Sequence, residues 1–398
     1  MMSNQTPVVL LTDPEQRACL AAARALGAQG WLVHTIGETA GLAGRSRFTV
    51  RHHGIPVGAA SNPEQLCDRV RSIVAAYGVR VVIPVTDAAS RTLLGQDAAL
   101  GAVVAGPTPE AYARASDKAF LTRAAAQCGL RVPRQVELAA PPASLHLSFE
   151  VPPPLVLKPS RSVVMADGRI ISTAVQFIDT AGDLTAALAQ IAAEAYPLLL
   201  QERIVGEGVG VFLLRHGGTT YLRFGHRRLR EKPPAGGVST YREAVNPPAD
   251  LVARCERLLD HLDYSGAAML EFKRDVGTGE YVVMEVNARL WGSVQLAVDA
   301  GVNFPVALAE LALGRDLEPL TACIPGTRSV WELGELDHAW ALLRRSAAEL
   351  HLPPDVRVGF PAAVRALLDH RVRDRCEVFR WSDPGPFLAE LSGWLRRR

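Results

Sequence analysis

The stretch YVVMEVNARLWGS, residues 281–293, sets Tyr281, Val283, Glu285, Asn287 and Arg289 at alternate positions, with the apolar Val282, Met284, Val286, Ala288 and Leu290 between them. Successive side chains of a strand point to opposite faces, so this pattern predicts a strand with one buried apolar face and one face carrying Glu285, Asn287 and Arg289. Just upstream, AAMLEFKRD (267–275) is a second strand-like run, and VGTGE (276–280) has the glycine spacing of a tight hairpin loop. If the hairpin closes symmetrically about Thr278, Glu271 stands directly opposite Glu285. Opposed residues on one sheet face have Cβ atoms roughly 4.5–5.5 Å apart, and like charges there are destabilising unless something compensates. A cation is the natural remedy. Two carboxylates and the amide oxygen of Asn287 are hard donors suited to Mg²⁺, which keeps waters and takes further ligands from substrate phosphates. A solvated strand face is the plainer reading, but the strict i, i+2 spacing and the matching Glu across the hairpin favour a metal platform for a nucleotide.

Composition narrows the class. The chain has 398 residues, 48% of them hydrophobic and 21% charged, with a formal net charge of +2. That length suggests several domain-sized units with ample cores. The near-neutral balance gives no support for a nucleic-acid surface, and the terminal WLRRR reads as a solvated tail. No run is long and apolar enough to span a membrane and no leader pattern opens the chain, so a cytoplasmic protein is expected. Six scattered cysteines without C-x-x-C spacing fit reduced thiols, neither a disulfide frame nor a zinc site. Of 43 basic residues only four are lysine, at Lys118, Lys158, Lys232 and Lys273. In a chain so rich in arginine, each lysine marks a place where a compact, flexible point charge is wanted instead of a planar fork.

Residues 7–105 alternate short apolar runs with helical patterns, the signature of an open parallel α/β layer. No G-x-G-x-x-G follows the first strand, and no G-x-x-x-x-G-K-[ST] loop occurs anywhere. From Ser116 the pattern changes: SDKAFLTRAAAQCGLRVP is a capped helix ending at Gly129, a Pro-rich link leads to the strand LVLKPS, and 197–229 reads as antiparallel strands. REKPPAGGVST (230–240) has the Pro and Gly content of a long mobile loop. The tail from about 318 is mainly helical and Arg-rich.

The ordered set Lys118, LKP, QERIVGEG, HRRLREKPPAGG, LEFK and MEVNARLWGS resembles the ATP-grasp superfamily of ADP-forming ligases over about 116–315, in its carboxylate-amine ligase branch, with kinship to carbamoyl phosphate synthetase and biotin carboxylase modules. The resemblance implies an N-terminal open parallel α/β domain (1–115), an ATP-grasp fold of two α+β subdomains clasping ATP (116–200 as the small, ATP-covering one and 201–317 as the large one with the metal site), and a mainly helical extension (318–398). It implies ATP and Mg²⁺ or Mn²⁺ as cofactors. Lys118 and Lys158 correspond to the lysines that reach ATP phosphates. Glu202, Arg203, Ile204 and Glu207 lie where such proteins hold adenine and ribose, with the two acids open between those roles. Glu271, Glu285 and Asn287 match the metal ligands, Arg289 the arginine that stabilises anionic oxygen, and Arg230 and Lys232 a lid over the phosphates or substrate. The usual glycine-rich phosphate loop is missing after Lys158, where Ser160, Arg161 and Ser162 stand in its place.

The expected reaction joins a small carboxylate to an amine through an acyl phosphate, releasing ADP and phosphate. Alternatives are bicarbonate and ammonia chemistry of the carbamoyl phosphate type, and a catalytically silent ATP-binding sensor or scaffold. Neither substrate is named by a residue pattern. Small-molecule partners are expected, with no nucleic acid and no membrane, and a homodimer is the usual assembly of the resembling enzymes.

Overall fold

The N-terminal apolar runs become the parallel strands β1 (Val8–Thr12), β2 (Leu32–Gly37), β3 (Thr49–Gly54), β4 (Val79–Ile83) and β5 (Val103–Val104), in the order β3-β2-β1-β4-β5. The computed structural model describes residues 6–141, 152–161, 163–166, 169–172, 175–353 and 356–397. Helices cover both faces of this sheet, which is why its strands are apolar without alternation: Leu10 packs into one core, Val9 and Leu11 into another. The chain leaves β1 for β2 on one side and reaches β4 on the other, so the carboxyl ends of β1 and β4 border the point where the strand order reverses.

The second layer is a small antiparallel sheet made from β6 (Gln135–Leu138), β7 (Leu155–Pro159), β10 (Gln176–Ile178) and β11 (Leu198–Glu202), with β8 (Val163–Ala166) and β9 (Arg169–Ser172) forming a separate two-stranded ribbon. Leu155, Leu157, Ile178, Leu198 and Leu200 bury their side chains under the helix Ala181–Leu188. Thr180 caps that helix through a reciprocal capping box with Asp183.

A large sheet follows, from β12 (Gly206–His216), β13 (Thr219–Lys232), β14 (Val238–Val245), β15 (Gly266–Asp275), β16 (Tyr281–Asn287), β17 (Arg328–Val330) and β18 (Arg375–Cys376), in the order β16-β15-β12-β13-β14-β17-β18. One face, with Val209, Val211, Leu270 and Phe272, packs on the amphipathic helix Ala249–His261. The other face is divided. Phe212, Leu214 and Met269 are covered by Trp291 and the segment 294–311, while the end carrying Gly208, Glu271 and Lys273 stays clear of that apolar cover. The small sheet is joined to the large one through Arg203, Ile204 and Val205 between β11 and β12, and Lys158 of β7 reaches the carbonyl of Met284 on β16.

Two expectations change here. The segment 230–240 is no long loop: β13 and β14 stay paired out to Lys232 and Val238, and only a tight Pro-Gly turn joins them. The backbone on either side of the Pro-Gly stretch is satisfied by a ladder that runs up to it. The C-terminal tail adds strands as well as helices, since β17 and β18 complete the large sheet. It is also tied to the helix Arg17–Ala28 beside the parallel sheet by buried ion pairs of Glu377 with Arg17 and of Asp383 with Arg24 at 2.8 Å, and to β14 by that of Glu377 with Arg242.

Candidate active site

The β15–β16 hairpin sets Glu271 opposite Glu285. The register needed for this does not run through the whole hairpin. Near the turn Phe272 pairs with Val283, then the register shifts, leaving Met284 as one extra residue before Glu285 meets Glu271. Met284 is thus a β-bulge, and it flips the alternation. Val283 and Val286, three apart, share one core, which strict alternation forbids. Tyr281 likewise packs against that core, so Tyr281 and Val283 do not share the face of Glu285 as the sequence pattern suggested. Without the bulge, Glu285 itself would point into that core. The bulged residue's carbonyl accepts a hydrogen bond from Lys158 Nζ at 3.4 Å.

Two lysines converge on this pair from other elements. Lys158, on β7 of the small sheet, is buried, and burial pulls its ammonium down to about 8 against the opposing pull of Glu285 and Glu271. Lys118 opens the helix Lys118–Gln127, capped by Asp117, and its Nζ lies 3.6 Å from Glu285 Oε2. Burial pushes the Glu285 carboxyl up, but Lys118, Lys158 and Arg289, with the Asn287 amide donating to Oε1 at 3.3 Å, together hold it below the usual range. Glu271 goes the other way: burial and the charge of Glu285 raise it in spite of Arg228. The two carboxyls therefore differ in charge affinity although they face each other across one ladder.

Arg228 was not singled out by the sequence. It sits on β13, yet its Nη2 lies 2.6 Å from Glu271 Oε2 on β15, while Nη1 bonds Glu231 at 2.8 Å. The guanidinium must cross β12, and Gly208 makes this possible: a Cβ there would come within 2.7 Å of Arg228 Cδ. Lys273 shares the Glu271 face two residues on; burial lowers its ammonium, and Glu231, Arg228 and Glu271 lie around it. The signal for Lys273 was present in the scarcity of lysine. For Arg228 there was none, because alternation within RFGHRRLREK gives no sign of which arginine crosses a neighbouring strand.

The remaining predicted residues divide. Arg289 follows the end of β16, its Nη2 bound to Asp87 Oδ2 at 2.8 Å, and Asp87 begins the helix Asp87–Leu93 after β4 of the parallel sheet. Asp87 was missed; a Thr-Asp pair after an apolar run reads only as a helix cap. Glu202 closes β11 and accepts from the backbone N–H of Arg134 at 2.9 Å and its Nε at 2.8 Å. Ile204 is buried, and Arg203 directs its side chain to Asp179 at 3.6 Å, the Phe177 ring and the carbonyl of His351.

Four residues are not brought to the carboxylates. Glu207 lies on the opposite face of the large sheet, alongside Val209, and pairs with Arg227 at 3.6 Å, because its register partner is Arg274 and the Glu271 face belongs to Gly208. Ser160 is buried, its hydroxyl donating to Asp117 Oδ1 at 2.7 Å and accepting from Ala119 N–H, so it secures the start of the Lys118 helix. Arg161 is beside it, 3.3 Å from Asp117, and Ser162 lies outside the described residues. Arg230 turns away to Glu335 at 2.6 Å and His370 at 2.9 Å, and Lys232 to Asp337 and the Trp331 ring. Both pair with the C-terminal tail, whose acids are too distant in sequence to be foreseen.

The donor set fits a hard divalent cation. Glu271 and Glu285 keep 21% and 32% of their side chains exposed on one face, with the Asn287 amide beside them, and hard oxygen donors of this number leave room for water and phosphate. Among the described residues no group of three His, Cys, Asp or Glu that could hold a metal ion is assembled. The Nε groups of Arg228 and Arg289 are buried without a hydrogen-bond partner among the described residues.

Residues 194–333 match the family described as ATP-grasp in the biosynthetic pathway with Ter operon. Comparison with curated proteins gives no match. Among solved structures, the L-amino acid ligase from Bacillus licheniformis superposes with a TM-score of 0.61 at 18% identity, over 79% of this chain and 76% of that one. The biotin carboxylase domain dimer of Hydrogenobacter thermophilus 2-oxoglutarate carboxylase, in complex with MgADP and bicarbonate, gives 0.63 at 15%, over 81% and 73%. Staphylococcus aureus N5-carboxyaminoimidazole synthetase complexed with ADP gives 0.62 at 10%, over 81% of each chain. At such identities the likeness is one of fold. The family match spans the link between β11 and β12 and the β15–β16 hairpin, and with the shared architecture it shows an ATP-grasp fold.

Proposed function

We propose that the chain is an ATP-dependent ligase that activates a small carboxylate as an acyl phosphate and joins it to an amine, releasing ADP and phosphate. The observation that carries this reading is the Glu271–Glu285 pair flanked by Lys118, Lys158, Arg228 and Arg289, a set with alternating charge on one open face. Phosphoryl transfer asks a protein chiefly for positioning and charge neutralisation, and such a set supplies both. Mg²⁺ held by Glu271, Glu285 and Asn287 would supply neutralising charge to the phosphate oxygens. Lys158, its ammonium lowered by burial, and Lys118 follow the transferring charge from the small-sheet side, residues 116–200, which cover the nucleotide above the metal-bearing 201–317. Adenine rests at the hinge by Glu202, Arg203 and Ile204.

A carboxylate oxygen attacks the γ-phosphorus and the bond to ADP breaks. The amine nitrogen then attacks the acyl carbon, phosphate departs with the carbon–oxygen electron pair, and the amine gives up a proton. Arg289, fixed by Asp87, faces the oxygen on which negative charge develops. Arg230 and Lys232 have no part in these steps. The test is Mg²⁺-dependent ADP release with pooled small carboxylates, with hydroxylamine present to trap acyl phosphate and Glu285→Ala as the control. Pool-dependent hydroxamate that disappears in the variant supports the reading; ATP binding with neither ADP nor hydroxamate from any pool overturns it.

A further inference from the structure

A cavity of about 540 Å³ opens at the carboxyl ends of β1, β2 and β4, within the volume range of small-molecule sites. It lies where the strand order reverses between β1 and β4, the place at which open parallel sheets take their ligands. Its lining is acidic. Asp13, Glu15, Glu38 and Asp87 contribute carboxylates, and Arg289, its one Lys or Arg, is already held by Asp87. Among the described residues Asp13, Glu15 and Glu38 enter no ion pair; Glu38 accepts the N–H of Gly58 at 2.6 Å, and Asp13 accepts from the Thr12 hydroxyl.

Asp13 is held at φ 57°, a left-handed conformation that few non-glycine residues adopt and that clusters at functional positions. Thr12 fixes it: the same hydroxyl that donates to Asp13 accepts the N–H of Val85 at 3.0 Å, joining the end of β1 to the loop after β4. Burial, with Glu15 adding to it, pushes the Asp13 carboxyl up to about 6. A phosphate-bearing ligand has no support here, since no glycine-rich loop follows β1 and three uncompensated carboxylates repel anions. A ligand with positive charge relieves them.

Asp87 and Arg289 connect this cavity to the chemistry. Asp87 also lines the narrow cleft that contains Lys118, Glu285 and Asn287, so the Arg289–Asp87 pair stands between the two spaces. Resting on the ligase reading above, we propose that the cavity binds the amine substrate, and that this amine is a small organic cation with two or more amino groups, received by Asp13, Glu15 and Glu38. One amino group is anchored by the carboxylates, and the other is presented past Arg289 to the acyl carbon.

Calorimetric titration of the full chain with putrescine and spermidine, and with glutarate as the anionic comparison, tests this. At least one of the amines is expected to bind more tightly than about 1 mM, with affinity falling about tenfold or more in Glu15→Gln/Glu38→Gln. Both positions are exposed, so the double variant should keep its melting temperature and its ATP affinity. The proposal is overturned if neither amine binds, if the variant binds them as well as the parent, or if glutarate binds instead. Hydroxamate formation reports separately, because hydroxylamine replaces the amine: hydroxamate without amine binding overturns the cavity assignment and spares the ligase reading, whereas variant-sensitive amine binding without hydroxamate does the reverse.

Discussion

Strands β13 and β16 both break their alternation beside the same open face, with opposite results. On β16 the extra residue Met284 turns Glu285 out of a hydrophobic core and onto the face of Glu271. On β13 the register shifts on either side of Arg230, so Arg228 and Arg230, which a regular strand would place side by side, part company. Arg228 crosses Gly208 to Glu271, and Arg230 goes to Glu335 and His370 in the C-terminal tail. One bulge admits a charge to the site and the other removes one. Bulges re-aim side chains near functional faces, and here the two together set the site's charge balance.

The largest expected effect tests the admitting bulge. Glu285→Ala should lower Mg²⁺-dependent ADP release by about 10²–10³-fold or more without loss of melting temperature. Deleting Met284 should match that loss and also destabilise the fold, because restored alternation drives Glu285 towards Val283 and Val286. If the deletion keeps both activity and stability, the bulge does not set the register of the site.

The second strand allows a crossed comparison. Arg228→Ala should reduce turnover by about 10–100-fold, as expected when a group that orients a ligand is lost. Arg230→Ala should leave turnover near the parent value and instead cost roughly 3–5 kcal/mol in denaturant unfolding, because Glu335, with 3% of its side chain exposed, loses its arginine. A variant at Arg230 that loses turnover at unchanged stability would return that residue to a lid role and erase the contrast between the two arginines.

Smaller effects appear in pH. The Lys158 ammonium has a folded value of about 8 against 10.5, so between these the unfolded chain holds the proton that the folded one has released. Stability then rises with pH across that window through this group. Lys158→Met should therefore be more stable than the parent below pH 8, with the difference shrinking towards pH 10.5, while turnover falls. Asp13 has the opposite sign. Its carboxyl is raised from 3.8 to about 6, so its contribution is fully present below 3.8 and is lost as pH passes 6. Asp13→Asn should melt with the parent at pH 3.5 and modestly above it at pH 7; equal melting at both would show that the carboxyl carries no burden in the folded chain.

Part of this geometry was legible. The hairpin follows from a short turn and a glycine-bounded strand pair, and Lys118 and Lys158 stood out by the scarcity of lysine, all local or compositional signals, whereas Glu271 meets Glu285 only through the bulge at Met284. What was misread is instructive. Tyr281 and Val283 were placed on the site face because alternation was carried through Met284, and 230–240 was taken for a loop because Pro and Gly usually end a ladder. Ser160 and Glu207 were assigned by their neighbourhood in sequence; the fold puts the Ser160 hydroxyl at the start of the Lys118 helix and Glu207 on the reverse of the sheet.

The sequence alone determined that 267–275 and 281–287 pair as a hairpin with Glu271 and Glu285 near each other, since a hairpin depends on residues within a few positions of each other. It also determined that the chain would be arginine-rich with few places for a lysine. Only the tertiary structure decided which arginine reaches the pair, that Asp87 fixes Arg289, and that acids of the C-terminal tail claim Arg230 and Lys232. Those choices rest on partners about 40 to 200 residues away and on a single inserted residue in each of two strands. A bulge is selected by the packing on both faces of a sheet, which exists only once the other layers are in place.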